Sequence, residues 1–182
     1  MNHLGPKVIE TERLLLRKYV LEDAEDIFRN IMSTGVHLNN PHKTLDETKN
    51  ALVNWIKDYE KIDFYEWAIE LKANKEIIGL ICTINNNEKL KSCEIAYEIS
   101  RDYWNNGYAT EALYYVLRCL INDIGYNRIQ GGHLVNNPAS GRVMEKSGMK
   151  YEGTLRQDNI NWETGEFIDS KIYGIIKGDF QK

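Results

Sequence analysis

Residues 104–112 read WNNGYATEA, which crowds Asn105, Asn106, Gly107 and Ala109 against the start of a strongly apolar-periodic helix. A helix start needs one capping residue, and this one carries more than that. The first-turn N–H groups of a helix lack intrahelical partners, and together with the helix dipole they form an anion site suited to a pyrophosphate. Gly107 lets a ligand approach the backbone closely, and Ala109 is too small to block it. The spacing is neither a phosphate loop, which needs Lys-Ser/Thr after its second glycine, nor a GxGxxG fingerprint. On these residues alone, Asn105 or Asn106 simply capping a helix is an equally open reading. A second polar helix start follows at Asn137-Pro138, with Asn as N-cap and Pro at the first helical position.

The three cysteines, Cys82, Cys93 and Cys119, are far apart and set in apolar surroundings. No CxxC spacing exists for zinc and no histidine pair sits at ligand spacing, so no metal is expected. The thiols read as buried groups in a reducing cytoplasm.

The elements that must position these residues follow from hydrophobic periodicity. Arg13–Tyr19 predicts a first strand. Ala24, Ile27, Phe28, Ile31 and Met32 fall on one helical face. After a loop from Gly35 to Lys43, Thr44-x-x-Glu47 forms a capping box and opens a second helix with the stripe Leu52, Trp55, Ile56 and Tyr59. Strands follow over residues 65–72, 76–84 and 92–100, with Asn85-Asn86-Asn87 as a turn. The helix from Ala109 to Ile124 is the most regular in the chain. A short strand over 128–134, a helix from Asn137 to Gly148 and strands over 149–156 and 168–176 complete the order βααβββαβαββ. One crossover unit therefore lies inside a mainly antiparallel sheet.

At 182 residues, with 42% hydrophobic composition, the chain fits one domain spanning residues 1–182. A net charge of −4 with no basic stripe disfavours non-specific nucleic-acid binding. The N-terminus has no signal-peptide pattern, and no apolar run approaches the ~18 residues of a membrane span. The chain reads as soluble and cytoplasmic.

YEISRDYWNNGYATEAL (97–113) together with NNPASGRVMEKSGMKYEGTLR (136–156) resembles the GNAT acetyltransferase superfamily. The resemblance is to the branch containing the ribosomal-protein N-acetyltransferases RimJ and RimL, and it extends from TERLLLR (11–17) to DSKIYGII (169–176). The superfamily's phosphate motif is Gln/Arg-x-x-Gly-x-Gly/Ala. Here Trp104 stands in the first place, as is usual in this branch, and Gly107 and Ala109 match the rest.

The resemblance implies an α/β (α+β) GNAT fold: a mixed, mostly antiparallel sheet of about seven strands, with helices on both faces. Acetyl-CoA would lie where the parallel strands 92–100 and 128–134 splay apart. The backbone of Ile99, Ser100 and Arg101 would pair with the pantetheine arm. N–H groups of Asn105, Asn106, Gly107, Tyr108, Ala109 and Thr110 would hold the pyrophosphate, and Asn137 and Ser140 would meet the thioester end. A homodimer is implied by the resemblance alone.

By the same resemblance, an amine attacks the thioester directly in a ternary complex, with no acyl-cysteine. Many family members carry a general-acid Tyr on the helix after the second motif. Aligned on Asn137, that place holds Met144, so Ser140 is the nearest group able to protonate the leaving sulfur, unless it serves as a cofactor contact or helix cap. For the base, Glu98 and His133 compete, with a solvated carboxylate and a structural histidine as their alternatives. An α-amine with pKa ~8 costs about 1.4 kcal/mol to deprotonate at pH 7, against about 4.6 kcal/mol for a lysine. A site without a strong base therefore favours an α-amine or another low-pKa amine. Tyr65, Trp67, Tyr97, Tyr103 and Trp162 are candidates for an acceptor groove, and residues 35–43, with His37 and His42, for a flap over it. The acceptor stays open between a protein N-terminal α-amine and a small amine such as a polyamine, aminoglycoside or amino-acid derivative. A non-catalytic CoA-binding module is the alternative from another class.

Overall fold

The computed structural model describes residues 1–34, 41–161 and 164–181. The flap residues 35–40, including His37, and the groove candidate Trp162 lie outside the described residues.

One eight-stranded sheet organises the chain. Its strands are β1 (Ile9–Glu10), β2 (Leu14–Arg17), β3 (Glu66–Leu71), β4 (Glu76–Asn87), β5 (Ser92–Ile99), β6 (Arg128–Leu134), β7 (Lys150–Ile160) and β8 (Phe167–Ile176). They lie in the order β1-β2-β3-β4-β5-β6-β8-β7, antiparallel throughout except for the parallel pair β5–β6. The strand beyond the seven expected is the two-residue β1. The turn after it is fixed by Thr11, whose N–H donates to Leu14 O at 3.0 Å and whose Oγ1 accepts from Leu14 N at 2.9 Å.

The helices are α1 (Ala24–Ile27, continued by a wide turn over Phe28–Met32), α2 (Leu45–Asp58), α3 (Tyr108–Arg118, continued by a wide turn over Cys119–Ile124) and α4 (Pro138–Lys146). At α2 the expected cap is present, with Glu47 N donating to Thr44 Oγ1 at 3.2 Å. The Glu47 carboxylate instead takes the N–H of Lys43 at 2.7 Å, one residue earlier than the box pattern. Asn85–Asn87 is not a turn: β4 runs through it, and the chain reverses at 88–91. Asn85, at φ +50°, takes up the irregular register there.

Strand alternation sends the core to both faces of the sheet. On one face Trp67, Ile69, Ile78, Ile95 and Ile129 pack under α3 and α4. On the other, Ala68, Ile77 and Leu80 pack under α1 and α2. Tyr65 and Trp67, proposed for the groove, are core side chains instead, and the Trp67 indole donates to Lys7 O at 2.8 Å. Cys93 and Cys119 are buried as expected, while Cys82 is half-buried. Burial pushes the thiols of Cys82 and Cys93 up to about 12 and that of Cys119 up to about 11, so none is a ready nucleophile near neutrality.

Candidate active site

The parallel pair β5–β6 is joined only at Ser92–Arg128, Cys93–Ile129 and Glu94–Gln130. Beyond that point the strands continue to Ile99 and Leu134 without pairing. The opening is a cleft of about 480 Å³ whose lining includes Glu94, Tyr97, Glu98, His133, Asn137, Ser140 and Asp158. Among the described residues its lining contains no Lys or Arg. The Tyr97 phenol donates to Ser140 O at 2.9 Å, so a side chain from β5 reaches the first turn of α4 across the opening.

Glu98 and His133 lie on opposite faces of the sheet. Glu98 is paired with Leu80, a member of the α1–α2 core, while its neighbour Ile99 belongs to the α3–α4 core. His133 alternates with Ile129 and Gly131 toward α4. Its Nδ1 lies 2.8 Å from Leu134 O, and a carbonyl can only accept, so Nδ1 carries a proton. Its Nε2 is buried without a hydrogen-bond partner among the described residues, and the ring stacks on Tyr173. A Cβ on Gly141 would stand 2.6 Å from Nε2, so α4 can approach β6 this closely only with glycine there.

At α4 the Asn137 side chain does not cap the backbone. Its Nδ2 donates to Ser140 Oγ at 3.2 Å instead. With that bond accepted, the serine hydroxyl proton remains available to another group. Met144, standing where the family's tyrosine would be, is buried in the core.

At the turn leading into α3 the capping position is Gly107, at φ +82°, so neither Asn105 nor Asn106 caps the helix. Asn106 Nδ2 instead closes the turn on itself through Tyr103 O (3.2 Å) and Trp104 O (3.0 Å). The first helical hydrogen bond runs from Glu111 N to Gly107 O at 3.0 Å. Among the described residues no intramolecular acceptor takes the N–H groups of Asn105 to Thr110, and this stretch is exposed or half-buried. A positive φ at Gly107 and a row of open donors suit a phosphorylated ligand at close range.

Ile99 and Arg101 frame the entry to this turn. Trp104 Nε1 donates to Ile99 O at 2.7 Å, and the Arg101 guanidinium sits 5.8 Å above the indole. Ser100 departs from expectation. Its N–H donates to Ile78 O at 2.8 Å and its carbonyl accepts from Tyr103 N at 3.0 Å, which commits both main-chain groups within the fold. Tyr103, another groove candidate, donates to Glu76 Oε2 at 2.5 Å. Hydrogen bonds from Tyr103, Asn30 and Arg29 hold the Glu76 carboxyl down to about 2.

Sequence reasoning missed the far side of the turn. Arg13, at the start of β2, donates from Nε to Glu111 Oε2 at 2.7 Å and from Nη1 to Asn106 O at 2.9 Å. Thr11 Oγ1 donates to Glu111 Oε1 at 2.6 Å. TERLLLR and YATEA are each visible in the sequence, but nothing in their spacing shows that they meet.

A mostly antiparallel sheet with one splayed parallel pair, whose first strand feeds a helix start with open N–H groups, is the fold of the GNAT acetyltransferases. The chain belongs to the GNAT acetyltransferase family: the model described as an acetyltransferase (GNAT) domain matches residues 13–150. The family uses acetyl-CoA as cosubstrate. The chain is 31% identical over 173 residues to the uncharacterized N-acetyltransferase YoaA of Bacillus subtilis (strain 168), covering 93% of this chain and 97% of that one. Its fold superposes on a ribosomal-protein-S5-alanine acetyltransferase from Vibrio fischeri with TM-score 0.81 at 18% identity, covering 97% and 100% of the two chains. It also superposes on a point mutant of the spermidine N-acetyltransferase SpeG from Vibrio cholerae with TM-score 0.74 at 24% identity, covering 94% and 98%.

Proposed function

We propose that this chain acetylates the α-amine of a protein N-terminus, taking the acetyl group from acetyl-CoA in a ternary complex. The observation that carries the reading is that β5, one edge of the opening, leads through Arg101–Tyr103 into the open N–H row at Asn105–Thr110. The opening accepts an extended arm, and the row accepts the pyrophosphate at its end. When bound, acetyl-CoA supplies an activated acetyl thioester.

The protein's own groups then have these roles. Asn105, Asn106, Gly107, Tyr108, Ala109 and Thr110 offer main-chain donors to the phosphates. The backbone of Ile99 borders the arm, Arg101 stands beside it, and Asn137 and Ser140 meet the thioester end. Glu98, on the face away from α3 and α4, takes the proton from the incoming ammonium, directly or through water. Ser140, already accepting from Asn137, passes its hydroxyl proton to the departing sulfur and takes in its place the second proton shed by the attacking nitrogen. His133 is enclosed beneath α4 on the opposite face from Glu98, and it supports the thioester end rather than the amine.

The likeness to a ribosomal-protein acetyltransferase fold supports an N-terminal acceptor, as does the low cost of deprotonating an α-amine. A second reading, a small multiply charged amine, is favoured by the cleft lining, which includes the carboxylates Glu94, Glu98 and Asp158. Incubation with acetyl-CoA and separate panels of N-terminal peptides, polyamines and aminoglycosides, with free thiol release as readout, distinguishes them. Turnover on peptides is expected. Turnover confined to polyamines moves the assignment to the second reading, and CoA binding without turnover on any amine defeats both.

A further inference from the structure

We propose that Arg13 is a positioning residue for the phosphate turn, fixing the direction of the Gly107 N–H and offsetting the charge of Glu111 beside it. The inference rests on reading that turn as the pyrophosphate seat. The Asn106 carbonyl and the Gly107 N–H belong to one peptide unit. A trans peptide is planar, so its C=O and N–H point in opposite directions. Arg13 Nη1 holds that carbonyl at 2.9 Å, on the β2 side of the turn. The N–H of the same unit is therefore directed away from β2, to the outside where the other unpaired donors lie. A cation on the carbonyl also polarises the peptide and strengthens its N–H as a donor.

Glu111 is what gives this fork its aim. The carboxylate sits in the first turn of α3, at the same helix end as the anion seat, and its side chain is 13% exposed. Left alone, it would repel a pyrophosphate. Arg13 meets it through Nε and Nη2, each at 2.7 Å, and through its main-chain N–H at 3.0 Å. Burial pushes the Glu111 carboxyl up, but bonds from Thr11 and Arg13 outweigh this and hold it below the usual range. The guanidinium also lies 4.5 Å over the Tyr108 ring, so its plane is fixed on a further side. Lysine would keep the charge without reaching Glu111 and Asn106 O together, because it lacks the planar fork.

Calorimetric titration of CoA and of S-acetylpantetheine, which lacks the pyrophosphate, tests the proposal. Arg13→Gln is expected to weaken CoA binding about tenfold or more, the scale of one lost charge-assisted hydrogen bond. Binding of S-acetylpantetheine should not change, whereas a general loosening of the fold would weaken both. Arg13→Lys is expected to remain as weak for CoA as Arg13→Gln, and it decides alone if the glutamine variant does not fold. Unchanged CoA affinity in Arg13→Gln, equal losses for both ligands, or full recovery in Arg13→Lys overturns the proposal. Failure of the unmodified chain to bind CoA defeats the pyrophosphate reading instead.

Discussion

Tyr97 and Ser140 are joined by a 2.9 Å hydrogen bond from phenol to main-chain carbonyl, across the place where β5 and β6 have stopped pairing. The bond sets where the first turn of α4 stands relative to β5. It therefore sets where the Ser140 hydroxyl stands relative to Glu98, one residue along from Tyr97. Tyr97→Phe keeps the ring and deletes the bond. Stability should fall by about 1 kcal/mol, the net worth of a typical buried hydrogen bond. The rate of acetyl transfer should fall about tenfold or more, because small misplacements of reacting groups are costly. Melting temperature and steady-state kinetics check both, and an unchanged kcat would remove Tyr97 from the positioning of α4.

Gly107 holds φ +82° at the head of α3. A valine there costs about 1–2 kcal/mol of backbone strain, or forces the turn into another shape. In either case the N–H row is disturbed, and CoA affinity measured by calorimetry should fall about tenfold or more. Affinity equal to that of the unmodified chain would displace the pyrophosphate from this turn.

The opposite-face arrangement makes the base testable by pH. Glu98→Gln should lower kcat by up to about tenfold near neutrality, since about one-tenth of an α-amine with pKa ~8 is already neutral there. The deficit should shrink as pH rises above the pKa of the acceptor, ~8 for an α-amine, because the nucleophile is then already neutral. A pH-rate profile of both forms measures this. A deficit constant with pH would mean that Glu98 acts on shape or charge and not on that proton.

Glu76 ties Tyr103, just ahead of the phosphate turn, to Asn30 and Arg29. Its carboxyl is held down to about 2, against 4.5 for the free group. A folded-state pKa below the unfolded value contributes stability that is complete above about 4.5 and is lost as pH falls toward about 2. Glu76→Gln should therefore be less stable than the parent at pH 6, with the gap closing in strong acid. Denaturant midpoints across pH 2–7 give the comparison, and a pH-independent gap would assign the loss to packing.

The strand and helix order was legible because alternation and 3.6-residue periodicity mark which face each side chain must bury. Leu52, Leu113 and Ile129 are core residues as their patterns require. The two-residue β1 carries too short a pattern to read, and the Asn85–Asn87 composition spoke for a turn although cross-strand pairing carries β4 through it. The glycine turn ahead of α3, with its open N–H groups, was legible because its signal is local in sequence. The Arg13–Glu111 contact was not, since it joins residues 98 apart in the chain and depends on how β2 and α3 are brought together. The face occupied by Tyr97 could be read, but its partner Ser140 could not, because that depends on how far α4 stands from the sheet.

The pairing that ends after Glu94 and Gln130 also has a mechanical meaning. β1 to β5 form one block and β6 to β8 another, and between them the sheet has a short parallel ladder, the α3 crossover and the Tyr97 tether. A continuous sheet is stiffest at its centre, whereas this one has its compliant line there. An extended ligand lying in the opening would act as a removable rung, stiffening the whole sheet while bound and returning its compliance on departure.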